Sequence, residues 1–249
     1  ATTPLWAAGL DGRVAVVTGG GRGIGRACAL ALAHAGADVI AVARTQADLD
    51  ALHADSDGRV RGWAEDVTAE SFLARLEALP ALDVLVNNAG MNRPLPIEQV
   101  DAATLDAMLA LNVRAVYRTS QSAVRAMLQA GRGGSIVHMS SQMGHVGAAR
   151  RTVYCMTKHA VEGLTRAMAV ELAPRGIRVN SVAPTFIETD LTRPMLRDEA
   201  FLRSVVESIP LGRVGRPEDV VGAVLFLASP ASALVTGDSL KVDGGWTAR

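Results

Sequence analysis

The sequence predicts an α/β fold, a doubly wound parallel sheet of about seven strands with helices on both faces. Short runs rich in β-branched residues alternate with longer runs of helical periodicity along the chain. The 249 residues are 49% hydrophobic and include 24 glycines, enough for a large core with several tight turns. Because no linker, repeat or low-complexity segment interrupts the alternation, residues 1–249 are predicted to form a single domain.

The elements follow from the same alternation. Short apolar runs predict strands at residues 14–18, 39–43, 60–63, 84–87, 135–140, 178–183 and 239–242. Helical periodicity predicts helices at residues 23–35, 46–53, 69–79, 105–128, 153–173 and 217–228, the last with proline at its first turn. Residues 185–211 are the least regular segment. They are predicted to form a lid with one short amphipathic helix at 195–209.

Composition excludes several function classes. The 25 basic and 25 acidic residues balance, so no charge field favours nucleic acid or a membrane surface. No apolar run reaches the length that spans a bilayer, and residues 1–6 do not read as a signal peptide. Cys28 and Cys155 are too few for a disulfide framework, which predicts a cytoplasmic protein. The histidines show no metal-ligand spacing, so no metal site is predicted.

A glycine-rich turn joins the first predicted strand to the first predicted helix. Glycines let the backbone approach a pyrophosphate, and the helix N-terminus offers free N–H groups to it. The strand-turn-helix context is what a dinucleotide-binding, Rossmann-type motif requires, whereas a plain tight turn is the alternative. The residues predicted to hold the cofactor here are Gly19, Gly21, Arg22, Gly23, Ile24 and Gly25.

The end of the second predicted strand decides between the two nicotinamide cofactors. An acidic residue there would bind the ribose 2′-hydroxyl of NAD, but this chain has Arg44 and Thr45. Arg44 can pair with a 2′-phosphate, Thr45 can donate its hydroxyl, and Arg22 lies on the same side. The sequence therefore predicts NADP(H) in preference to NAD(H). The alternative is that Arg44 is a solvated residue at the start of a helix.

Tyr154 and Lys158 stand four residues apart on a predicted helix and so share one face. A phenol with a pKa of about 10 is a poor acid or base at neutral pH. An ammonium roughly 4 Å away would lower that pKa by about three units at an effective dielectric near 20. The pair is therefore predicted to act as a general acid/base. The alternative for this motif alone is a solvated lysine beside a half-buried tyrosine.

Taken together, the motifs resemble those of the short-chain dehydrogenase/reductase family over nearly the whole chain. The matching fragments are Thr-Gly-x-x-x-Gly-x-Gly at 18–25, Asn-Asn-Ala-Gly at 87–90, Asn112, Ser140-Ser141, Tyr154-x-x-x-Lys158 and Val-Asp-Gly-Gly at 242–245. Residues 44–50, 140–142, 153–155 and 209–212 look like L-xylulose reductase and related tetrameric carbonyl reductases, which prefer NADPH. Residues 186–190 look like 3-oxoacyl-carrier-protein reductases. Thr185 follows Pro184 where the family often has glycine, a departure that the carbonyl reductases share.

The resemblance implies roles for individual residues. Ser141 would hold the substrate oxygen, Tyr154 would exchange its proton, and Lys158 would lower the tyrosine pKa and bind the ribose. Asn112 would orient a water that relays protons to Lys158. The remaining residues implied at the cofactor are Asp66, Val67, Asn88, Ala89, Gly90, Pro184, Ile187 and Thr189. The cofactor-binding half would span about residues 10–90, and the catalytic and substrate-binding half would span about residues 91–249.

Substrate contacts are predicted from two segments near the catalytic residues. Gln142, His145, Arg150 and Arg151 flank the Ser–Tyr segment and could reach substrate hydroxyls or a carboxylate, the alternative being a solvated loop. In the predicted lid, Leu191, Met195 and Leu196 would close over the nicotinamide.

Three functions remain open on the sequence alone. The first is an NADP-dependent oxidoreductase acting on a small ketone, sugar or polyol as its carbonyl or alcohol substrate. The second is a 3-oxoacyl-carrier-protein reductase, which would need a basic docking patch; Arg193, Arg197 and Arg203 are available, but Asp198 and Glu199 offset them. The third is a non-catalytic NADP-binding regulator. Extra apolar residues on the helices at 105–128 and 153–173, with the resemblance, predict a homotetramer.

Overall fold

Seven parallel strands form the centre of the protein in a computed structural model that describes residues 9–248. The strands are β1 (Val14–Thr18), β2 (Asp38–Ala43), β3 (Val60–Ala64), β4 (Val84–Asn87), β5 (Gly134–Met139), β6 (Ile177–Pro184) and β7 (Ser239–Val242). Their order in the sheet is β3-β2-β1-β4-β5-β6-β7. The predicted fold class is therefore confirmed. The prediction that residues 1–6 are no signal peptide concerns residues outside the described range.

Helices cover both faces of this sheet. They are α1 (Gly23–His34), α2 (Gln46–Asp55), α3 (Glu70–Glu77), α4 (Ala102–Leu109), α5 (Val116–Ala130), α6 (Thr152–Leu172), α7 (Arg193–Leu196), α8 (Glu199–Ser208) and α9 (Pro217–Ala228). None of the helices in the described part of the chain combines the length and apolar character that crossing a membrane requires.

The buried side chains separate into two clusters, one on each face of the sheet. Along β1, Val17 packs toward the cluster that holds Leu32 of α1, whereas Val16 packs toward the cluster that holds Phe72 of α3. This alternation is the period of two expected of strands covered on both faces. The sheet is thereby clamped between two apolar layers, and only its strand ends are available to ligands.

Two predicted helices differ in the structure. The helix predicted at 105–128 begins at Ala102, ends at Ala130 and contains a π-helical segment, Ala110–Ala115. A π-helical turn adds a residue without changing the apolar pattern, so periodicity could not reveal it. The single helix predicted at 195–209 is wrong, because α7 and α8 replace it. Asp198 caps α8 by accepting hydrogen bonds from the N–H groups of Ala200 and Phe201.

The chain reverses its direction across the sheet between β1 and β4, which are neighbours. The backbone pairing of β1 with β4 ends at Val17 and Val86, and beyond it the Thr18 hydroxyl connects the two strands. Its Oγ1 accepts hydrogen bonds from the N–H groups of Asn88 at 3.0 Å and Ala89 at 3.1 Å. The Asn88 amide in turn donates to the carbonyls of Thr18 at 3.0 Å and Gly19 at 3.1 Å. One buried hydroxyl therefore fixes the two loops that leave this point of the sheet.

Replacing that hydroxyl should destabilise the protein. Thr18→Val keeps the shape of the side chain but leaves two N–H groups without their acceptor, which should cost about 1–3 kcal/mol in the free energy of unfolding. Urea denaturation measures the loss. Thr18→Ser keeps the acceptor and should stay closer to the parent. Equal midpoints for Thr18→Val and the parent would show that the hydroxyl does not join the loops.

Candidate active site

A cavity of about 680 Å³ opens at the carboxyl ends of the central strands. In open parallel α/β sheets this is the position where ligands bind, beside the point where strand order reverses. Its walls come from the glycine turn after β1, the loop after β4, the end of β5, α6 and the segment after β6. Of the predicted site residues, the lining includes Gly19, Arg22, Gly23, Ile24, Asn88, Ala89, Gly90, Ser141, Gln142, Tyr154, Lys158, Pro184, Ile187, Thr189, Leu191 and Met195.

The glycine turn is shaped for close backbone packing. Gly19 has a φ of +63°, and a Cβ on it would come within 3.0 Å of Ala89. A Cβ on Gly25 would clash with the Gly19 carbonyl and the Asn88 amide. Helix α1 starts at Gly23 with no side-chain cap and no acidic residue in its first turn. Its first N–H groups are thus free for an anion, and the turn fits a dinucleotide pyrophosphate.

The residues predicted at the adenosine end lie beside this turn but off the cavity surface. Arg44 is exposed and pairs with no carboxylate among the described residues. Hydrogen bonds from Thr68 hold the pKa of Asp66 below its ordinary value, with a smaller contribution from Arg44. Val67 is buried next to Asp66. Thr45 precedes α2 and makes no capping hydrogen bond with its side chain. Gly21 packs instead against the β2 and α2 side chains of Ala43 and Asp48.

Arg22 has a partner that the sequence did not indicate. Its Nε lies 3.1 Å from Oδ2 of Asp48, which the first turn of α2 brings to the glycine turn. The prediction counted two arginines and no acid around a 2′-phosphate. Because Asp48 already neutralises Arg22, Arg44 is the arginine left free among the described residues on this side.

Ser141, Tyr154 and Lys158 come together at the carboxyl end of β5. Ser141 precedes a short 3-10 turn, and its hydroxyl accepts from the Met143 N–H at 3.2 Å. The Ser141 hydroxyl lies close enough to the Tyr154 hydroxyl to act against the rise in the Tyr154 pKa. Lys158 is buried, donates from Nζ to the Met139 carbonyl at 2.7 Å and lies 5.6 Å from the Tyr154 ring centroid. A hydroxyl pair able to hold a carbonyl oxygen thus stands beside a buried cation.

The prediction that Lys158 lowers the Tyr154 pKa is wrong for this structure. Burial raises the pKa of Tyr154 to about 12, and the opposing effects of Ser141 and Arg151 are smaller. Burial also lowers the pKa of Lys158 to about 8, partly offset by the nearby Glu162 carboxylate. The sequence argument placed both groups in a partly aqueous medium, whereas desolvation dominates here. Tyr154 is consequently held as a neutral phenol, a proton donor rather than a base.

Asn112 lies in the π-helical segment, where a widened turn carries its side chain inward. It is buried, accepts from the Met91 N–H at 2.8 Å and donates to the Met91 carbonyl at 2.8 Å. It also donates to the Thr157 hydroxyl at 3.2 Å. Asn112 therefore joins the loop after β4 to α6, one residue before Lys158. π-helical turns are frequent at functional sites, but periodicity gave no signal for this one.

Several buried polar atoms around the cavity have no hydrogen-bond partner among residues 9–248. Both amide atoms of Gln142, Oγ1 of Thr185 and Oδ1 of Asn92 are of this kind, and all three residues line the cavity. Buried polar groups are nearly always satisfied, so these atoms are available to hydrogen-bond water or a ligand in the cavity. Asn92 and Thr185 were not predicted. The sequence signal for them is only their place just after β4 and β6.

Three of the four flanking residues, His145, Arg150 and Arg151, are not in the cavity lining; Arg151 contacts the lining residue Met195. Nε2 of His145 lies 2.8 Å from the Ser239 hydroxyl and 3.4 Å from Oε1 of Glu162. The structure thus turns His145 toward β7 and away from the substrate position. Arg150 is exposed, and its carbonyl accepts from the Leu95 N–H at 3.1 Å.

The segment after β6 lies across the cavity. Ile187 is buried and pairs with Gly215, and a Cβ on Gly23 would lie 3.2 Å from Cγ2 of Thr189. Leu191 and Met195 line the cavity farther along the segment. Within the described residues, no three His, Cys, Asp or Glu side chains converge as they would around a metal ion.

Known proteins match this sequence over nearly the whole chain. The family model described as Enoyl-(Acyl carrier protein) reductase matches residues 19–247. L-xylulose reductase of Mesocricetus auratus is 42% identical over 238 residues, which cover 96% of this chain and 98% of that protein. The 3-oxoacyl-[acyl-carrier-protein] reductase of Vibrio harveyi is 39% identical over 241 residues, covering 95% and 98%.

A solved relative adds a ligand-bound example. Gluconate 5-dehydrogenase of Burkholderia cenocepacia J2315, in complex with NADP and tartrate, is 34% identical with a TM-score of 0.92. The match covers 98% of this chain and 99% of that one. The resemblance predicted from the motifs is thus confirmed. This chain belongs to the short-chain dehydrogenase/reductase family and is an oxidoreductase that transfers a hydride between a nicotinamide cofactor and a carbonyl or secondary alcohol.

Proposed function

We propose that the protein is an NADP-dependent oxidoreductase of a small ketone, sugar or polyol, with Ser141, Tyr154 and Lys158 as its catalytic centre. The observation that carries the proposal is the junction of this cluster with the uncapped N-terminus of α1 in one cavity. A dinucleotide whose pyrophosphate lies on α1 would direct its nicotinamide toward the cluster.

The side chains divide the work of carbonyl reduction. When bound, the cofactor supplies the hydride that adds to the carbonyl carbon, and it leaves oxidised. Ser141 holds the carbonyl oxygen, and Tyr154 gives it a proton as negative charge develops there. Lys158, buried beside the Tyr154 ring, would bind the ribose hydroxyls of the cofactor. Asn112 holds the loop beside Lys158, where a water-mediated relay would return the proton to Tyr154.

Arg44 supports a preference for NADP(H). It is exposed beside the glycine turn, pairs with no carboxylate among the described residues and can form charge-assisted hydrogen bonds with a 2′-phosphate. The NADP in the gluconate 5-dehydrogenase relative is consistent with this assignment.

A small polar substrate suits the site better than a carrier-bound acyl chain. L-xylulose reductase and gluconate 5-dehydrogenase are both named for polyhydroxylated molecules. A carrier protein would need a free basic patch beside α7 and α8. Arg193 pairs there with Asp190 at 2.6 Å, and Arg203 lies 3.5 Å from Glu199. This ion pairing removes most of the patch that the acyl-carrier alternative requires.

Assembly as a homotetramer is proposed from the apolar side chains that α5 and α6 leave exposed. Tyr117 is 52%, Met156 48% and Val170 80% exposed, more apolar surface than a solvated helix face needs. We also assign the protein to the cytoplasm, because Cys28 is a buried free thiol and Cys155 has no disulfide partner.

Tyr154→Phe tests the proposed chemistry. It removes the proton donor and keeps the ring, so kcat should fall by about 10²–10⁴-fold with NADPH and a panel of ketones and sugars. The dissociation constant for NADPH should change less than twofold, measured by fluorescence titration. Tyr117→Phe is the matched control, since it removes the only other tyrosine hydroxyl. A variant that keeps more than a tenth of the activity would rule out Tyr154 as the acid.

Arg44→Asp tests the cofactor assignment. It should weaken NADPH binding by about 1.5–3 kcal/mol, the range for a hydrogen bond to a charged group, and leave NADH binding unchanged or improved. Arg59→Asp is the control. It makes the same charge change just before the first residue of β3, at the edge of the sheet away from Arg44. Similar kcat/KM values for the two cofactors in the parent protein would contradict the preference.

The oligomeric state can be measured by light scattering at micromolar concentration. A homotetramer should scatter as about four times the chain mass of 26.0 kDa. Met156→Asp places a charge in the proposed contact and should shift the population to smaller species. A parent protein found only at the chain mass would refute the assembly.

A further inference from the structure

Arg151 is a buried cation without a counter-charge. It is 6% exposed, and no carboxylate among the described residues lies within ion-pair distance. Its Nη2 contacts the Met195 sulfur at 3.6 Å, and its Nε is buried with no partner. A thioether is only a weak acceptor, so the guanidinium keeps most of its hydrogen-bonding capacity.

Such an arrangement is costly unless a ligand completes it. Burying a charge without a paired, hydrogen-bonded partner opposes folding, and charged side chains are rarely buried unpaired. A guanidinium presents its donors in a planar fork that matches a carboxylate with two parallel hydrogen bonds. The group that would satisfy Arg151 is therefore an anion, and a carboxylate has the matching geometry.

Arg151 stands next to the reacting groups. It precedes Tyr154 by one helical turn and is close enough to favour the ionised form of that tyrosine. Met195, its weak partner, lines the cavity. Gln142 lies at the same wall with both amide atoms buried and unpaired. Arg151 thus lies directly behind Met195 at the edge of this cavity, outside its lining, while Gln142 presents its amide on the wall itself.

The charges around the cavity favour an anion as well. Asp190 is the acidic residue among the described lining residues, and its carboxylate is held by Arg193 at 2.6 Å. Lys158, also in the lining, forms no ion pair within the described chain. Asp48, Glu188 and Asp190 pair with other arginines near the cavity, and none of the three pairs with Arg151.

We propose that Arg151 binds the carboxylate of a sugar acid, with Gln142 binding a neighbouring hydroxyl, so that the natural substrate is a keto-aldonate and its product an aldonate. This inference rests on the proposed function, because it names the substrate class of the same site. In the reducing direction, NADPH gives the hydride to the ketone carbon and Tyr154 the proton to its oxygen. The carboxylate itself is unchanged.

A matched pair of substrates tests the proposal. L-sorbose carries a hydroxymethyl group where 5-keto-gluconate carries a carboxylate, and both present the same ketone. With NADPH the parent protein should have at least a tenfold higher kcat/KM for 5-keto-gluconate. Arg151→Gln should lower that value by about 10–100-fold, mainly through KM, and change the value for L-sorbose less than threefold.

The neighbouring arginine provides the control. Arg150 adjoins Arg151 but its side chain is exposed. Arg150→Gln removes the same charge and should preserve the preference for the acid. Equal losses for both substrates in Arg151→Gln would overturn the proposal, because they would show that Arg151 only positions Tyr154. A parent protein that reduces L-sorbose as well as the acid would also overturn it.

A binding measurement separates this inference from the proposed function. Tartrate, a hydroxylated dicarboxylate, should raise the melting temperature of the NADP-saturated parent and of Arg150→Gln, but not that of Arg151→Gln. Absence of any shift in the parent would overturn the carboxylate site even if carbonyl reduction is found. A shift that requires Arg151, in a protein that reduces no carbonyl of the panel, would keep the site and refute the proposed function.

Discussion

The Thr18 hydroxyl bears the constraint on which the rest of the site depends. β1 and β4 are hydrogen-bonded neighbours, yet the chain leaves them toward opposite edges of the sheet, so their loops separate above a crevice. Thr18 accepts from the N–H groups that begin the β4 loop, and Asn88 donates back across the gap. This exchange satisfies the backbone without a further strand. It also brings the glycine turn close enough to Asn88 that only glycine fits at position 25.

Burial then sets the charge states of the groups around that crevice. A low-dielectric surrounding disfavours every charged form, which raises the pKa of Tyr154 and lowers that of Lys158. Tyr154 therefore keeps its proton at neutral pH, as the proposed role of proton donor requires. In the same surrounding the unpaired guanidinium of Arg151 is unfavourable unless an anion binds to it. In the proposed function, catalysis and substrate recognition therefore depend on the same condition, the removal of these polar groups from water before the ligand binds.

Much of this could be predicted from the sequence, because the signals were local. The glycine turn, the Tyr154–Lys158 spacing and the apolar strands each depend on a few adjacent residues. The strands form the predicted sheet, and the glycine turn, Tyr154 and Lys158 all lie at its cavity. What failed depended on contacts between distant segments. Asp48 reaches Arg22 only after α2 folds against the glycine turn, and His145 turns to Ser239 of β7. The sign of the Tyr154 shift depended on burial, which no spacing reports.

The π-helical turn at Asn112 and the cap at Asp198 could not be predicted from the sequence, for a different reason. Both change the path of a helix by one residue or one turn while the apolar pattern stays regular. Periodicity averages over about two turns, so an inserted residue or an early cap is lost in it. Asn112 of the π-helical turn nevertheless holds Met91, and Met91 lines the cavity.

The central claim is that this cavity passes a hydride directly from the nicotinamide to a substrate carbon. Single-turnover reduction of 5-keto-gluconate with NADPH dideuterated at C4 of the nicotinamide, followed by mass spectrometry of the product, tests it most directly. Direct transfer predicts one deuterium on the new carbinol carbon and none elsewhere, with no loss of label to the solvent. An unlabelled alcohol, or a label found in water, would contradict the account.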